Sequence, residues 1–237
     1  MRFSFQSSSH KYPYIWFCFI EYGVIFNIAF IFYTGESIDQ DRKGNFDKQI
    51  AFVKGLSKTF NVASNDTNVG IITYSGDANV RYGFDNITNQ AELEDAMDNL
   101  TINGSGRNIG QALHLAHTDL FNQSNEGRDN TRNILVVITD GGSDDDLAVP
   151  TYALKDDGVE IFSVGIDRYV RGQLNEMASD PDSDHVFTID FSDDLGPTIR
   201  QFKKAIIKGL YWTISPCYST CSSFFYTPQF DWLTVVE

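Results

Sequence analysis

The sequence predicts an α/β fold in which helices cover both faces of a doubly wound, mostly parallel six-stranded sheet with one antiparallel edge strand. Two observations carry this prediction. Five consecutive apolar residues, Ile134–Ile138, are typical of a strand that is buried on both faces, as in the middle of a parallel sheet. Strand-like and helix-like segments also alternate along most of the 237-residue chain, as they do when crossover helices join parallel strands.

Six segments have the composition of strands, and most of them are short apolar runs. The predicted strands are Ile28–Tyr33, Val69–Tyr74, Val80–Phe84, Ile134–Thr139, Val159–Gly165 and His185–Ile189. Because only a short turn separates the second from the third, these two are expected to form an antiparallel hairpin at the sheet edge. Asp140 and two glycines follow the fourth strand, which places a carboxylate at the carboxyl edge of the sheet, where open α/β folds bind ligands.

Six further segments are predicted to be helices, most of them because apolar residues recur three or four positions apart. They are Phe46–Phe60, Gln90–Leu100, Ile109–Phe121, Asp146–Asp157, Val170–Ala178 and Phe191–Lys208. The alternation extends over residues 27–209, which we predict to be the domain. The segments 1–26 and 210–237 do not continue the pattern, and all three cysteines (Cys18, Cys217 and Cys221) lie in them.

An apolar stretch near the N-terminus, Ile15–Tyr33, has the length of a membrane span. Glu21 and Asn27 interrupt it, and its second half is needed as the first strand, so we do not expect it to cross a membrane. A signal peptide is the other interpretation, because Arg2 and Lys11 precede the apolar core. The absence of a cleavage site of small residues after Glu21 weighs against it.

The composition restricts the class of partner. A net charge of −14 and an isoelectric point near 4.5 argue against binding to nucleic acid or to anionic membranes. Five Asn-x-Ser/Thr sequons favour a secreted glycoprotein. The candidate glycosylation sites are Asn65, Asn86, Asn99, Asn103 and Asn122.

The chain has no pattern that predicts an enzyme or a small-molecule substrate. No nucleophile–base pair stands out, and the glycine spacing of the 104–110 loop does not fit a dinucleotide-binding loop. His114 and His117 share a helix face but lack a third zinc ligand nearby in sequence. The acidic run Asp144–Asp146 is interpreted as a cap for the helix that follows, in preference to a calcium site.

The order and wording of the segments resemble a von Willebrand factor type A (vWA) domain of the kind found in matrilins and non-fibrillar collagens. Seven segments carry the resemblance. They are NIAFIFYTGESI (27–38), NFDKQIAFVKGL (45–56), NVGIITYS (68–75), NGSGRNIGQAL (103–113), NILVVITDGGSDDD (133–146), GVEIFSVGI (158–166) and ASDPDSDHVFTIDFSDDL (178–195). The resemblance implies a Rossmann-like vWA fold and a secreted, extracellular protein-binding or adhesion module, with matrix proteins of the collagen type among the candidate partners.

In that family a divalent cation, usually magnesium, often mediates ligand binding at the carboxyl edge of the sheet. The family motif has Asp-x-Ser-x-Ser after the first strand, a Thr in the loop before the third helix and an Asp after the fourth strand. This sequence keeps two of these positions, Ser37 and Asp140. Tyr33 replaces the first Asp, Gly35 the first Ser and Arg107 the Thr. We therefore expect a degraded metal site and no bound cofactor, with magnesium only if the remaining ligands suffice.

Three arrangements are considered for Arg107. Its guanidinium could fill the cation's place and pair with Asp140, which otherwise loses its counter-ion. It could instead point to solvent, with Asp140 accepting N–H groups of its own turn. In the third arrangement a loop shift brings the hydroxyl of Ser105 into the position of the missing Thr.

Three functions follow, in order of preference. The first is an interaction module that binds its partners without a metal ion. The alternative is a magnesium-dependent adhesion domain that still works through Ser37 and Asp140. A remote alternative is a Rossmann-like enzyme, for which no catalytic cluster is found.

Overall fold

Six strands form a single sheet in the computed structural model, which describes residues 26–40, 43–63, 66–122, 131–190 and 194–221, with side chains up to residue 208. The strands are β1 (Phe26–Tyr33), β2 (Thr67–Tyr74), β3 (Ala78–Tyr82), β4 (Arg132–Thr139), β5 (Val159–Ile166) and β6 (Val186–Ile189). Their order across the sheet is β3-β2-β1-β4-β5-β6, and all neighbouring pairs are parallel except β2 and β3. The predicted sheet, with its antiparallel edge strand, is confirmed.

Seven α-helices flank this sheet within the described residues. They are α1 (Asn45–Ser57), α2 (Gln90–Asp98), α3 (Ile109–Leu115), α4 (Ala148–Asp156), α5 (Arg171–Met177), α6 (Asp182–His185) and α7 (Leu195–Cys221). A 3-10 helix, Glu36–Asp39, precedes α1, and a π-helical segment, Ala116–Phe121, continues α3. Helix α1 packs against α2 and α7, while α4 packs against α3 and α5, so the doubly wound class is also confirmed.

The core lies between the sheet and these helices. Every residue of β1 is buried, and β4 is buried from Asn133 onward, as the apolar runs predict for central strands. Aromatic rings fill the space under α7, where Phe202 lies with its ring centroid 4.8 Å from those of Phe162 and Phe187. These contacts fix α7 against β5 and β6.

Element boundaries differ from the predicted ones where tertiary contacts decide them. The first helix ends at Ser57 and not at Phe60, because the ring of Phe60 leaves the helix to pack edge-on against Phe26. The third strand ends at Tyr82, so the predicted end at Phe84 is wrong. The side chain of Phe84 turns into the core beside Phe121, with 5.5 Å between the ring centroids.

The later elements differ in the same way. His185 closes α6 and not the last strand, since its Nδ1 lies 3.0 Å from the Pro181 carbonyl oxygen within that turn. The backbone of α7 is helical to Cys221, past the predicted domain end at residue 209. Residues 1–25 and the side chains of Cys217 and Cys221 lie outside the described part of the molecule. No described helix has both the length and the apolar character to cross a membrane.

Candidate functional site

The sheet topology brings the ends of β1 and β4 together at the carboxyl edge. The parallel register pairs Phe32 with Ile138, so Tyr33 and Asp140 follow within two residues on adjacent strands. The loop before α3 is held over the same edge by backbone hydrogen bonds. The amide of Asn103 donates to the Thr34 carbonyl at 2.6 Å, and the amide of Glu36 donates to the Gly104 carbonyl at 2.9 Å. The carboxyl edge therefore brings together the three segments that carry the family's metal-motif positions: the ends of β1 and β4 and the loop before α3.

Arg107 pairs with Asp140, so the structure has the first of the three predicted arrangements. The guanidinium Nη2 donates to Asp140 Oδ1 at 3.1 Å, with 26% of the arginine side chain and 6% of the aspartate side chain exposed. Burial raises the pKa of Asp140, and the charge and hydrogen bond of Arg107 only partly offset that effect. Arg107 thus supplies the positive charge beside this carboxylate.

Tyr33 forms the floor under this ion pair. Its ring is fully buried, and the Arg107 guanidinium carbon lies 4.8 Å from the ring centroid, a cation–π contact. The phenolic oxygen lies 2.6 Å from Ser37 Oγ, so the retained serine and the tyrosine share a hydrogen bond. Burial raises the pKa of Tyr33, which keeps the phenol protonated.

Two glycines make room for these side chains. A Cβ atom on Gly35 would lie 2.3 Å from the Tyr33 hydroxyl oxygen, and one on Gly141 would lie 2.7 Å from Arg107 Nε. The Tyr33 ring therefore occupies the space that a side chain at position 35 would need. Sequence reasoning treated Gly35 only as a lost hydroxyl ligand and gave Gly141 only a role in the turn.

The acidic run after β4 holds the arginine loop in place. Asp144 Oδ2 accepts the Arg107 amide at 2.8 Å, and the Asp144 amide donates to the Arg107 carbonyl at 2.7 Å. Asp145 accepts the amides of Gly110 and Gln111, both at 2.8 Å. Asp145 therefore caps a helix, as predicted, but that helix is α3 and not the one that follows the acidic run. Asp146 accepts the Val149 amide of α4, at 3.2 Å.

The two motif residues that the sequence retains are engaged by other side chains of the protein. Magnesium requires oxygen ligands in near-octahedral geometry. Of the two retained motif residues, Asp140 accepts from Arg107 and Ser37 is bonded to Tyr33. The guanidinium has no lone pair to offer and repels a cation. Among the described residues, no group of three or more His, Cys, Asp or Glu side chains is placed to hold a metal ion.

The remaining candidate residues take no part in the contacts described above among Tyr33, Arg107 and Asp140. Ser105 is exposed, and its carbonyl oxygen lies close to Gly76. His117 pairs with Asp157 at 2.7 Å, and His114 is exposed. The sequon asparagines at positions 86, 99, 103 and 122 are all exposed, and Asn65 lies outside the described residues.

Comparison with known proteins decides the family. The model of the von Willebrand factor type A domain matches residues 27–201. The chain belongs to this family. Vitrin from Mus musculus is 33% identical over 151 residues, and the collagen alpha-1(XII) chain from Notophthalmus viridescens is 31% identical over 149 residues. These alignments cover 64% and 62% of this chain but only 23% and 16% of the two relatives, so the chain spans less than a quarter of either.

Solved structures support the fold. Proximal thread matrix protein 1 from the mussel byssus, in a form described as having a zinc-occupied MIDAS motif (the metal-ion-dependent adhesion site), superimposes with a TM-score of 0.69. It is 23% identical, and the match covers 77% of this vWA chain and 46% of that protein. At this identity the likeness concerns the architecture.

Proposed function

We propose that this chain is an extracellular vWA-type protein-binding module whose carboxyl edge works without a metal ion. The observation that carries the proposal is the Arg107–Asp140 ion pair above the buried ring of Tyr33. In this arrangement the guanidinium occupies the neighbourhood where the family motif implies a cation. A partner would then contact protein side chains at this edge and not a bound metal ion.

Electrostatics supports the proposal. A divalent ion about 4 Å from a guanidinium is repelled by on the order of 8 kcal/mol at an effective dielectric constant of about 20. The guanidinium also bonds Asp140 Oδ1, so a magnesium ion bound at that oxygen would displace Arg107. That movement would break the ion pair and the contact with Tyr33, and only Ser37 and Asp140 would remain as motif ligands.

The extracellular role rests on the relatives and on the surface. Vitrin and collagen XII are proteins of the extracellular matrix, which favours secretion and matrix-type protein partners for this chain. Exposed sequons at Asn86, Asn99 and Asn103 agree with a glycosylated surface. The net charge of −14 disfavours nucleic acid and anionic membranes.

A protein ligand is also a better match to the edge than a small molecule. A cavity of about 360 Å³ opens beside the ion pair, and charged and amide side chains dominate its lining. These include Gln40, Asn45, Arg107, Asp140, Asp167 and Arg168. Small-molecule sites are usually lined by apolar and aromatic side chains. The polar lining and the matrix relatives together favour a non-enzymatic role.

Isothermal titration of the full chain with magnesium, manganese and zinc chlorides tests the proposal. Wild type is expected to give no site-specific heat. A variant carrying Tyr33→Asp, Gly35→Ser and Arg107→Thr restores the family ligands and is expected to bind one ion. The first substitution removes the ring that a Gly35 side chain would strike, so the three are made together.

Asp140→Asn in the restored variant is the matched control, because it removes the retained carboxylate and should abolish the heat. One cation bound to wild type and lost in Asp140→Asn would contradict the proposal. That result would favour the magnesium-dependent alternative through Ser37 and Asp140.

A further inference from the structure

Helix α4 carries two large apolar side chains that the fold does not use. Val149 is 73% exposed and Tyr152 is 71% exposed, whereas the other exposed large apolar side chains among the described residues reach at most 44%. Because Val149 and Tyr152 are three positions apart, they lie side by side on one face of the helix. Pro150, Thr151 and Leu154 form the buried face.

Carboxylates stand at both ends of this apolar pair. Asp146 lies two residues before α4, and its Oδ2 accepts the Val149 amide at 3.2 Å. Asp156 follows Tyr152 by four residues, on the same helix face. Both aspartates are exposed. We define the α4 face as Asp146, Val149, Tyr152 and Asp156.

Asp156 lies where a carboxylate does not help the helix. It is the last residue of α4, and the helix dipole places partial negative charge at that end. The side chain of Asp156 makes no hydrogen bond or ion pair within the described residues, in contrast to that of Asp157, which pairs with His117. A local electrostatic conflict of this kind is expected where a residue serves binding and not folding.

The basic residue of α4 does not neutralise the face. Lys155 is half-buried, and its Nζ donates to the Glu176 carbonyl oxygen at 3.2 Å, towards α5. Its cationic group is therefore engaged beside the face and not on it. The face keeps an apolar centre with acidic ends, on a molecule with a net charge of −14.

We propose that the α4 face binds a basic protein segment that carries an apolar or aromatic side chain. The apolar side chain would cover Val149 and Tyr152, and flanking lysines or arginines would meet Asp146 and Asp156. Charge complementarity selects this partner over an acidic one. The inference rests on the proposed function, because it names where and by what chemistry a protein partner binds.

Fluorescence anisotropy with labelled peptides tests this inference on the full chain. The probe is a synthetic peptide of alternating lysine pairs and leucines. Two reference peptides replace either the leucines by serine or the lysines by glutamate. The lysine–leucine peptide is expected to bind, and both reference peptides are expected to bind at least about tenfold more weakly.

Matched variants locate the binding. Tyr152→Ser is expected to weaken the lysine–leucine peptide about tenfold, and Asp156→Asn is expected to weaken it chiefly at low salt. Both residues are exposed, so the fold should persist. Ile102→Ser is the control, since Ile102 is 38% exposed but lies outside α4.

Three results would overturn the inference. In the first, the lysine–leucine peptide binds Tyr152→Ser as well as it binds wild type. In the second, the glutamate peptide binds wild type as well as the lysine–leucine peptide does. In the third, Tyr152→Ser abolishes self-association of the chain without affecting binding of the peptide. The last result would assign the face to a second copy. None of these outcomes changes the cation titration, so failure here and failure of the proposed function are distinguishable.

Discussion

Tyr33, Gly35 and Arg107 fit one another as a set. The ring of Tyr33 occupies the space into which a side chain at Gly35 would project, and its face receives the guanidinium of Arg107. The two retained motif residues are hydrogen-bonded to this set: Ser37 to Tyr33, and Asp140 to Arg107. Tyr33, Gly35 and Arg107 therefore form a packed unit with Ser37 and Asp140.

This fit predicts non-additive effects of substitution. Gly35→Ala is expected to destabilise the protein by about 1–3 kcal/mol, because its Cβ would overlap the buried Tyr33 ring. In a Tyr33→Leu background the same change should cost about 0.5 kcal/mol or less, since the ring is gone. Urea unfolding of the four proteins in this cycle measures the difference.

Gly172→Ala is the control for the glycine change. Gly172 lies in α5 and has no heavy atom within 4 Å of an added Cβ, so alanine should be neutral or stabilise the helix by up to about 1 kcal/mol. An equal cost of Gly35→Ala in both backgrounds would show that the ring and the glycine are not coupled.

At the scale of elements, three ionisable side chains that are buried or partly buried join β4, β5 and α6. Arg132 and Glu160 form a close ion pair, and His185 Nε2 lies 2.9 Å from the other Glu160 oxygen. Arg132 also donates to the Ile206 carbonyl oxygen in α7, at 2.5 Å. Since His185 Nδ1 faces the Pro181 carbonyl oxygen and Nε2 faces Glu160, a protonated imidazole can donate a hydrogen bond to each of them.

This network makes stability depend on pH. Burial disfavours the charged imidazole, but its hydrogen bonds to Glu160 and Pro181 outweigh burial and raise the pKa of His185 above 6.5. Burial likewise disfavours ionised Glu160, but His185 and Arg132 lower the pKa of Glu160 below 4.5. The histidine contribution is complete below pH 6.5 and is lost as pH rises through the folded-state pKa; the glutamate contribution is lost in acid.

We predict that His185→Gln destabilises the protein more at about pH 6 than at about pH 9. Urea unfolding of wild type and variant at both pH values checks this. His114→Gln is the matched control, because it makes the same change at an exposed position outside this network. A constant deficit of His185→Gln across this range would mean that the imidazole contributes packing and not charge.

The elements show how far the sequence reaches. The apolar run of β4 leaves no face for solvent, so a central strand could be predicted from it. The sequence could not show that Asp145 caps α3, because that contact joins residues 34 and 35 positions apart. The sequence also could not show that the Tyr33 ring is buried beneath Arg107, because those two residues are far apart along the chain. The local signal for a buried ring was an aromatic residue two positions before a glycine, Gly35.

At the scale of the whole molecule, charge governs how cation binding must be measured. With a net charge of −14, the protein attracts a diffuse cloud of cations wherever its carboxylates are exposed. Heat or stabilisation on adding magnesium can arise from that cloud without any ion at the carboxyl edge. A measurement that places the ion in space is therefore more direct than one that counts it.

The most direct test is anomalous diffraction from crystals of the full chain grown with manganese. The account predicts Arg107 bonded to Asp140 above Tyr33, as at 3.1 Å in the structure described here, with no anomalous peak at the edge. The contradicting result would be a peak within about 2.2 Å of an Asp140 oxygen, with Ser37 beside it and Arg107 swung away.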